Sequence, residues 1–302
     1  MHTLRNKCLG LALLLLPAFP AGAALNVLAC EPEWAALAQE LGGDRIQVSS
    51  ATTALQDPHR IEARPSLIAR ARNADLLVCT GAELEAGWLP ILLQQSGNGR
   101  IQPGRPGYFE AARHVSMLEV PQRIDRAQGD VHASGNPHIQ TDPRNIAAVA
   151  QALAQRLIQV DGANAAHYEA RYRDFAARWS AAMGRWERQA APLRGVPVAV
   201  QHDGFPYLET WLGLRRVAVL EPKPGVEPST AYLGQVLARL EREPAKMVLR
   251  AAYQDTRPSA WLAQRAGIAP VELPYTVGGS ARAGELFGLF DDTVERLLAA
   301  LR

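Results

Sequence analysis

The stretch Tyr168-Glu169-Ala170-Arg171-Tyr172-Arg173-Asp174-Phe175-Ala176-Ala177-Arg178-Trp179-Ser180-Ala181-Ala182-Met183-Gly184-Arg185-Trp186 sits near the middle of the chain. Its large apolar residues fall at 168, 172, 175, 179, 183 and 186, in steps of three and four. That spacing keeps them on one face of a helix, so one long helix is expected from about Asp161 to Ala191, closed by Pro192 and Gly195. An aromatic stripe of this kind reads as core. The helix is therefore expected to lie lengthwise against whatever precedes and follows it, as a stiff connector.

Before it, strand-like runs alternate with helical ones. Leu25 to Cys30 is a strand and Pro32 to Leu41 a helix ending at Gly42-Gly43; Ile46 to Ser50 is a second strand, followed by a loop from Ala51 to Arg60. Pro65 to Asn73 reads as a helix, Ala74 to Cys79 as a third strand, Glu83 to Gln95 as a helix, and Arg105 to Gly129 as loop. An Ala-rich helix follows from Ile146 to Ile158. Parallel strands need a crossover between them, so this alternation implies βαβ units.

After the connector the same grammar returns. Strands are expected at Val196 to Gln201, Val217 to Leu220, Met247 to Leu249 and Val271 to Leu273. The helices between them are a loop and helix at His202 to Leu212, then Ser229 to Glu241, Arg257 to Ala266 and Leu286 to Leu301. The expected fold is α/β, with two Rossmann-like lobes of parallel sheet, residues 25–160 and 192–302, joined by one long rigid helix over 161–191. Ligands of such sheets collect at the carboxyl ends of the strands, which places a site in the cleft between the lobes.

Residues Met1 to Ala24 carry Arg5 and Lys7, a short apolar core from Cys8 to Leu16, and the small-x-small ending Ala21-Gly22-Ala23. This is the pattern of a cleavable secretory signal, and it implies a periplasmic mature protein. The formal charge of +2 falls to about zero without Arg5 and Lys7, and no basic face marks a nucleic-acid or membrane partner. The mature chain keeps Cys30 and Cys79, each at the end of an apolar run. In an oxidising compartment they can pair, or they can stay as two separate buried thiols.

Three loops carry the chemistry. The segment Gly129 to Asn145 holds His132, Gly135-Asn136-Pro137-His138 and Asp142-Pro143-Arg144-Asn145, immediately before a helix. Asp57-Pro58-His59 and Gln201-His202-Asp203 each place a histidine just after an expected strand. If the rims of the two lobes face each other, His59 and His138 lie opposite His202.

Taken together, these segments resemble the periplasmic solute-binding component of zinc or manganese ABC importers. The likeness rests on Asp57-Pro58-His59 followed by Arg64-Pro65-Ser66, on Ala74 to Val78 with Gly81, Leu84, Glu85 and Trp88-Leu89, on Gly135 to His138 with Asp142 to Asn145, and on His202-Asp203-Gly204-Phe205 with Tyr207-Leu208. It runs over essentially the whole mature length. The resemblance implies metal ligation by His59, His138 and His202, and two partners, a membrane permease and its cytoplasmic ATPase, served by a monomer. It also implies a fourth, carboxylate ligand from the second lobe, yet the matching loop reads Leu273-Pro274-Tyr275-Thr276-Val277-Gly278-Gly279 and holds no acid. Asp255, Glu62 and a water are the alternatives for that position, and His132 is a candidate auxiliary ligand.

Three imidazoles suit Zn2+, which takes four-coordinate nitrogen sites, while manganese asks for more oxygen and a higher coordination number. Asp57, Asp142 and Asp203 are the candidates to orient a ligand ring through its second nitrogen. Capping of the following helix is an equally good reading of Asp142. A secreted zinc hydrolase would use the same three histidines, but no His-Glu-x-x-His helix and no general base beside any of them supports an enzyme. A sequestering or adhesive surface module is the third class.

Overall fold

The computed structural model describes residues 24–123, 129 and 131–302; the expected signal segment lies outside the described residues except for Ala24. Strands β1 (Leu25–Ala29), β2 (Ile46–Ser50), β3 (Leu76–Cys79) and β4 (Tyr108–Glu110) form one parallel sheet in the order β2-β1-β3-β4. Strands β5 (Pro197–Val200), β6 (Arg215–Val219), β7 (Met247–Ala251) and β8 (Ala269–Leu273) form a second in the order β6-β5-β7-β8. Each sheet thus starts at its second position, moves to one edge and returns across the first strand. The carboxyl end of the first strand in sequence lies in the interior of each sheet, next to the point where the chain reverses direction.

The helices of the first half are α1 (Pro32–Gly42), α2 (Pro65–Asn73), α3 (Leu89–Ser96) and α4 (Pro143–Val160). Helix α5 (Ala165–Gln189) joins the halves, and α6 (Pro206–Leu212), α7 (Thr230–Arg242), α8 (Thr256–Ala266) and α9 (Leu286–Ala299) complete the second. Proline stands in the first turn of α1 to α4 and α6, where the missing N–H has no helical partner to lose.

Two expectations are corrected. The strand β4 lies inside the segment read as loop; three residues are too few to show alternation. The helix expected from Glu83 begins only at Leu89. Ala82 and Glu83 both have positive φ, 50° and 67°, which no helix accepts. The Glu85 carboxylate also accepts the backbone N–H groups of Thr80 (2.7 Å) and Gly81 (3.1 Å), holding the segment as a turn.

Helix α5 behaves as its stripe predicts. Tyr168, Phe175, Trp179 and Trp186 are buried, packed between α1 of the first half and α4 and α9. From its amino-terminal end to its middle it holds the first lobe through His167 to the Gly42 carbonyl (2.9 Å), Arg171 to the Glu40 carbonyl (2.8 Å) and Arg178 to the Glu40 carboxylate (2.7 Å). Its carboxyl-terminal half packs Trp179 edge-on and Trp186 at a tilt against Phe290, at 5.4 and 5.1 Å, and Trp179 donates to the Pro143 carbonyl (2.8 Å). Fully burying one such side chain stabilises by about 1.5–3 kcal/mol, so the connector is fastened along its length to both lobes.

Cys30 and Cys79 form a disulfide between the ends of the adjacent strands β1 and β3, Cα atoms 4.7 Å apart. This resolves the pairing that the sequence left open, and it suits an oxidising compartment. Beside it, Glu31, Glu33 and Glu85 are all buried. Glu33 accepts the hydroxyl of Thr276, a tie from the first lobe to the loop after β8. Burial pushes the Glu33 carboxyl up to about 7, against the opposing Thr276 hydrogen bond.

Two outcomes follow. Reduction of the disulfide, which closes a 49-residue separation, should lower stability by about 3–4 kcal/mol, seen as a lower urea midpoint with reductant; coincident curves would contradict it. A carboxyl whose pKa is higher folded than unfolded costs stability as pH rises from its unfolded value toward its folded one. Glu33→Gln should therefore stabilise the protein by about 2 kcal/mol at pH 8 and by almost nothing at pH 4, measured as thermal midpoints at the two pH values.

Candidate metal centre

Each of the three histidines is set by a different local device. His59 lies in the loop after β2, where the Asp57 carboxylate accepts both the His59 backbone N–H (3.0 Å) and its ring Nδ1 (2.8 Å), an Asx-type turn that fixes ring and backbone together. The buried Trp88 indole donates to the Pro58 carbonyl (2.9 Å) and holds the loop from beneath.

His138 sits in the last turn before α4. Its backbone N–H donates to the Asn136 side chain (3.1 Å), and Asp142 caps α4 by accepting from the Arg144 N–H (2.8 Å). Asn136 also donates to the Asp203 carbonyl (2.8 Å), and its own carbonyl accepts the Tyr207 hydroxyl (2.7 Å). The loop of the first half is thereby stitched to the loop carrying His202.

His202 follows β5. Its Nδ1 meets the Glu221 carboxylate at 2.7 Å, and Glu221, two residues past β6, is held by the Gly225 N–H (2.8 Å). The Gln201 N–H donates to the Leu249 carbonyl (2.8 Å), which continues the sheet to the ligand's door.

These devices bring the rings together. The ligand atoms of His59, His138 and His202 all lie within 4.8 Å of one another, and ring centroids are 5.3 to 6.0 Å apart. His138 Nε2 and His202 Nε2 are separated by 3.2 Å. Two nitrogens on one tetrahedral ion with bonds of 2.0–2.1 Å stand about 3.3 Å apart, so this spacing suits two imidazoles sharing one divalent ion. With Asp57 and Glu221 taking the Nδ1 atoms of His59 and His202, the Nε2 atoms are the lone-pair donors. The buried Nε2 of His59 has no hydrogen-bond partner, as expected of a nitrogen reserved for a cation.

The electrostatics agree. Burial, reinforced by the neighbouring histidines, holds the His138 imidazole well below its usual pKa, so it stays neutral and able to bind. Burial also works to lower His202, but the Glu221 hydrogen bond and charge outweigh it and the net shift is upward. For Asp57, burial is opposed by the hydrogen bond and charge of His59, and the carboxyl ends below its usual range.

The other candidates stand differently. The Asp255 carboxylate caps α8 through the Arg257 N–H (2.9 Å) and pairs with the Arg257 guanidinium; it borders the opening beside His59 and His202 but is not among the converging ligand atoms. Glu62 is exposed beside Arg64. The His132 ring stands 5.4 Å from that of His59, on a cavity of about 360 Å³ that also reaches His138 and His202. Of the three aspartates considered as orienting partners, Asp57 orients a ring, Asp142 caps a helix, and Asp203 pairs with Arg216. Glu221 was missed. It is 19 residues from His202, and the available signal was an acid directly after an expected strand, on the rim where ligands gather. A second convergent group, Cys30, Cys79 and Glu85, has its two sulfurs bonded to each other.

Fold and site together define a two-lobed α/β protein with three imidazoles meeting in its cleft. The family model described as zinc-uptake complex component A, periplasmic, matches residues 27–300, and the chain belongs to that family. The high-affinity zinc uptake system protein ZnuA of Bacillus subtilis (strain 168) is 22% identical over 252 residues, 82% of this chain and 76% of that protein. The manganese ABC transporter substrate-binding lipoprotein PsaA of Streptococcus pneumoniae is 22% identical over 267 residues, 86% of this chain and 82% of its own. The Streptococcus gordonii lipoprotein scaA is 28% identical over 148 residues, but the match spans only 48% of this chain and 44% of that protein. A crystal structure of ZnuA superposes with a TM-score of 0.75 at 22% identity, covering 92% of this chain and 99% of that one. The manganese-bound periplasmic metal-binding protein of Candidatus Liberibacter asiaticus gives 0.74 at 15% identity, covering 91% and 99%.

Carboxylates that orient a ligating ring are worth about 10–100-fold in metal affinity. Asp57→Asn and Glu221→Gln should each weaken zinc binding by that much, measured by competition with a chromophoric chelator. Because Glu221 raises His202, Glu221→Gln should also shift to lower pH the point at which protons begin to displace the metal. Unchanged affinity and pH profile in both variants would contradict this arrangement.

Proposed function

We propose that this chain is an extracytoplasmic high-affinity zinc-binding protein, exported through the amino-terminal signal to the periplasm, that delivers Zn2+ to the permease of an ABC importer powered by a cytoplasmic ATPase. The observation carrying the reading is the convergence of His59, His138 and His202 from both lobes into one cleft, with a nitrogen spacing that matches tetrahedral zinc. Zinc is the cargo. The family membership and the zinc uptake system named for the Bacillus subtilis relative support the transport role.

A second reading, a manganese carrier of the same class, is favoured by the manganese transporters among the relatives. The donor set argues for zinc. Three neutral imidazoles and no convergent carboxylate among the described residues form a nitrogen site, at which zinc outranks manganese. The chain acts as a monomer in this account, and α5, fastened to both lobes, limits metal uptake to small movements of loops and lobes rather than a wide hinge.

Release follows from the same ring chemistry. A proton competes with the ion for each imidazole, and Glu221 favours the proton at His202 as well as orienting the ring for metal. Binding should weaken as pH falls, beginning above histidine's ordinary pKa of about 6.5.

The test is a set of alanine variants measured by calorimetry and chelator competition. His59→Ala, His138→Ala and His202→Ala should each weaken zinc binding by at least about 100-fold. His114→Ala and His167→Ala should leave it unchanged, because His114 stacks on Phe109 at 4.9 Å and His167 holds the Gly42 carbonyl at 2.9 Å. Equal losses at all five positions would refute the assignment.

A further inference from the structure

Three imidazole nitrogens leave one direction open on a four-coordinate ion. Among the described residues no carboxylate oxygen joins the cluster, and the nearby acids are committed elsewhere: Asp57 and Glu221 to ring Nδ1 atoms, Asp203 to Arg216, Asp255 to Arg257. The second lobe presents Tyr275 instead.

Tyr275 is 5% exposed, and its hydroxyl is buried without a hydrogen-bond partner; the Gln140 side chain lies close, but at a geometry that makes no hydrogen bond. Its ring lies 5.6 Å from that of His138, and 5.4 and 5.7 Å from Phe205 and Tyr253, which pack around it. The hydroxyl and the His202 ring both border Gly204. A Cβ placed on Gly204 would sit 2.9 Å from the Tyr275 oxygen and 3.2 Å from His202 Cδ2, the carbon bonded to the ligating Nε2. Only glycine lets the two approach across that point.

The backbone is held to the same end. Tyr275 has φ of 69°, a left-handed conformation that a bulky residue adopts only where its surroundings enforce it. Hydrogen bonds from the Thr276 N–H to the Pro274 carbonyl (2.8 Å) and from the Gly278 N–H to the Ala283 carbonyl (2.7 Å) close the loop, and the Thr276 hydroxyl anchors it to Glu33. A strained, pinned loop thus holds a tyrosine with an unpaired O–H beside the His138 ring and across Gly204 from His202, where a purely structural tyrosine would have found a partner.

We propose that Tyr275 is the specificity-determining residue of this site: its hydroxyl holds the one non-protein ligand, a water or small anion, that completes four-coordination around the three imidazoles. It does not ligate the ion itself. Supplying a neutral donor where an acid would add a hard oxygen ligand, it keeps the site nitrogen-rich and biased to zinc over manganese. The proposal rests on the metal-binding reading above.

The experiment uses the mature protein and its Tyr275→Phe and Tyr275→Asp variants. Zinc and manganese affinities are measured by competition, the visible spectrum by cobalt(II) substitution, and folding by circular dichroism of the metal-free proteins. Wild type should give the intense cobalt bands of a four-coordinate centre. Tyr275→Phe, which removes a single oxygen, should keep its fold, weaken zinc about 10-fold and shift the cobalt bands. Tyr275→Asp should raise manganese affinity relative to zinc by about 10-fold or more, with weaker cobalt bands of higher coordination. A Tyr275→Phe protein matching wild type in zinc affinity and cobalt spectrum overturns the proposal, as does a Tyr275→Asp protein with an unchanged metal ratio. Failure of wild type to bind zinc would instead remove the metal-binding reading itself.

Discussion

Three ring nitrogens, each able to offer a lone pair, come within 4.8 Å of one another in the cleft; the rest of the structure depends on that convergence. Two of them stand 3.2 Å apart, with His138 buried to 1% exposure and His202 to 7%. Lone pairs so placed repel one another unless a proton or a metal cation lies between them, and buried nitrogens left unpaired are costly. The carboxylates of Asp57 and Glu221 settle the choice of nitrogen by taking the opposite ring atom of two of the histidines.

Holding such a convergence requires a frame that does not yield. It is built from two sheets with the same strand order, whose central strands end at the cleft, and from α5, anchored to Glu40 and Gly42 on one side and to Phe290 on the other. Asn136 adds a direct stitch between the His138 and His202 loops. The Glu33–Thr276 tie crosses between lobes with a carboxyl whose burial raises it to about 7. Polar groups buried at that cost hold the loops in register as apolar packing alone would not.

Much of this was legible from residues alone. Alternating apolar runs marked seven of the eight strands, the aromatic stripe marked α5, and the three short histidine segments marked the site. What escaped depends on chain geometry that no local pattern encodes. Glu221 reaches His202 only because β5 and β6 pair side by side, and Glu33 reaches Thr276 across 243 residues. The turn at Ala82–Glu83 has positive φ without glycine, so nothing local announced that the helix would start late. Tyr275 read as an ordinary residue in a loop lacking an acid; its burial, and its approach to Gly204 from 71 residues away, are set by the fold and not by any local pattern.

The central claim is that one zinc ion is held by three imidazoles drawn from both lobes. The most direct measurement is X-ray absorption at the zinc edge on protein loaded with one equivalent of metal. The account predicts three imidazole scatterers and one light atom at about 2.0–2.1 Å, with one imidazole lost in each single-histidine variant. A shell of sulfur, a shell of oxygen alone, or a spectrum unchanged by removing His59, His138 or His202 would contradict it.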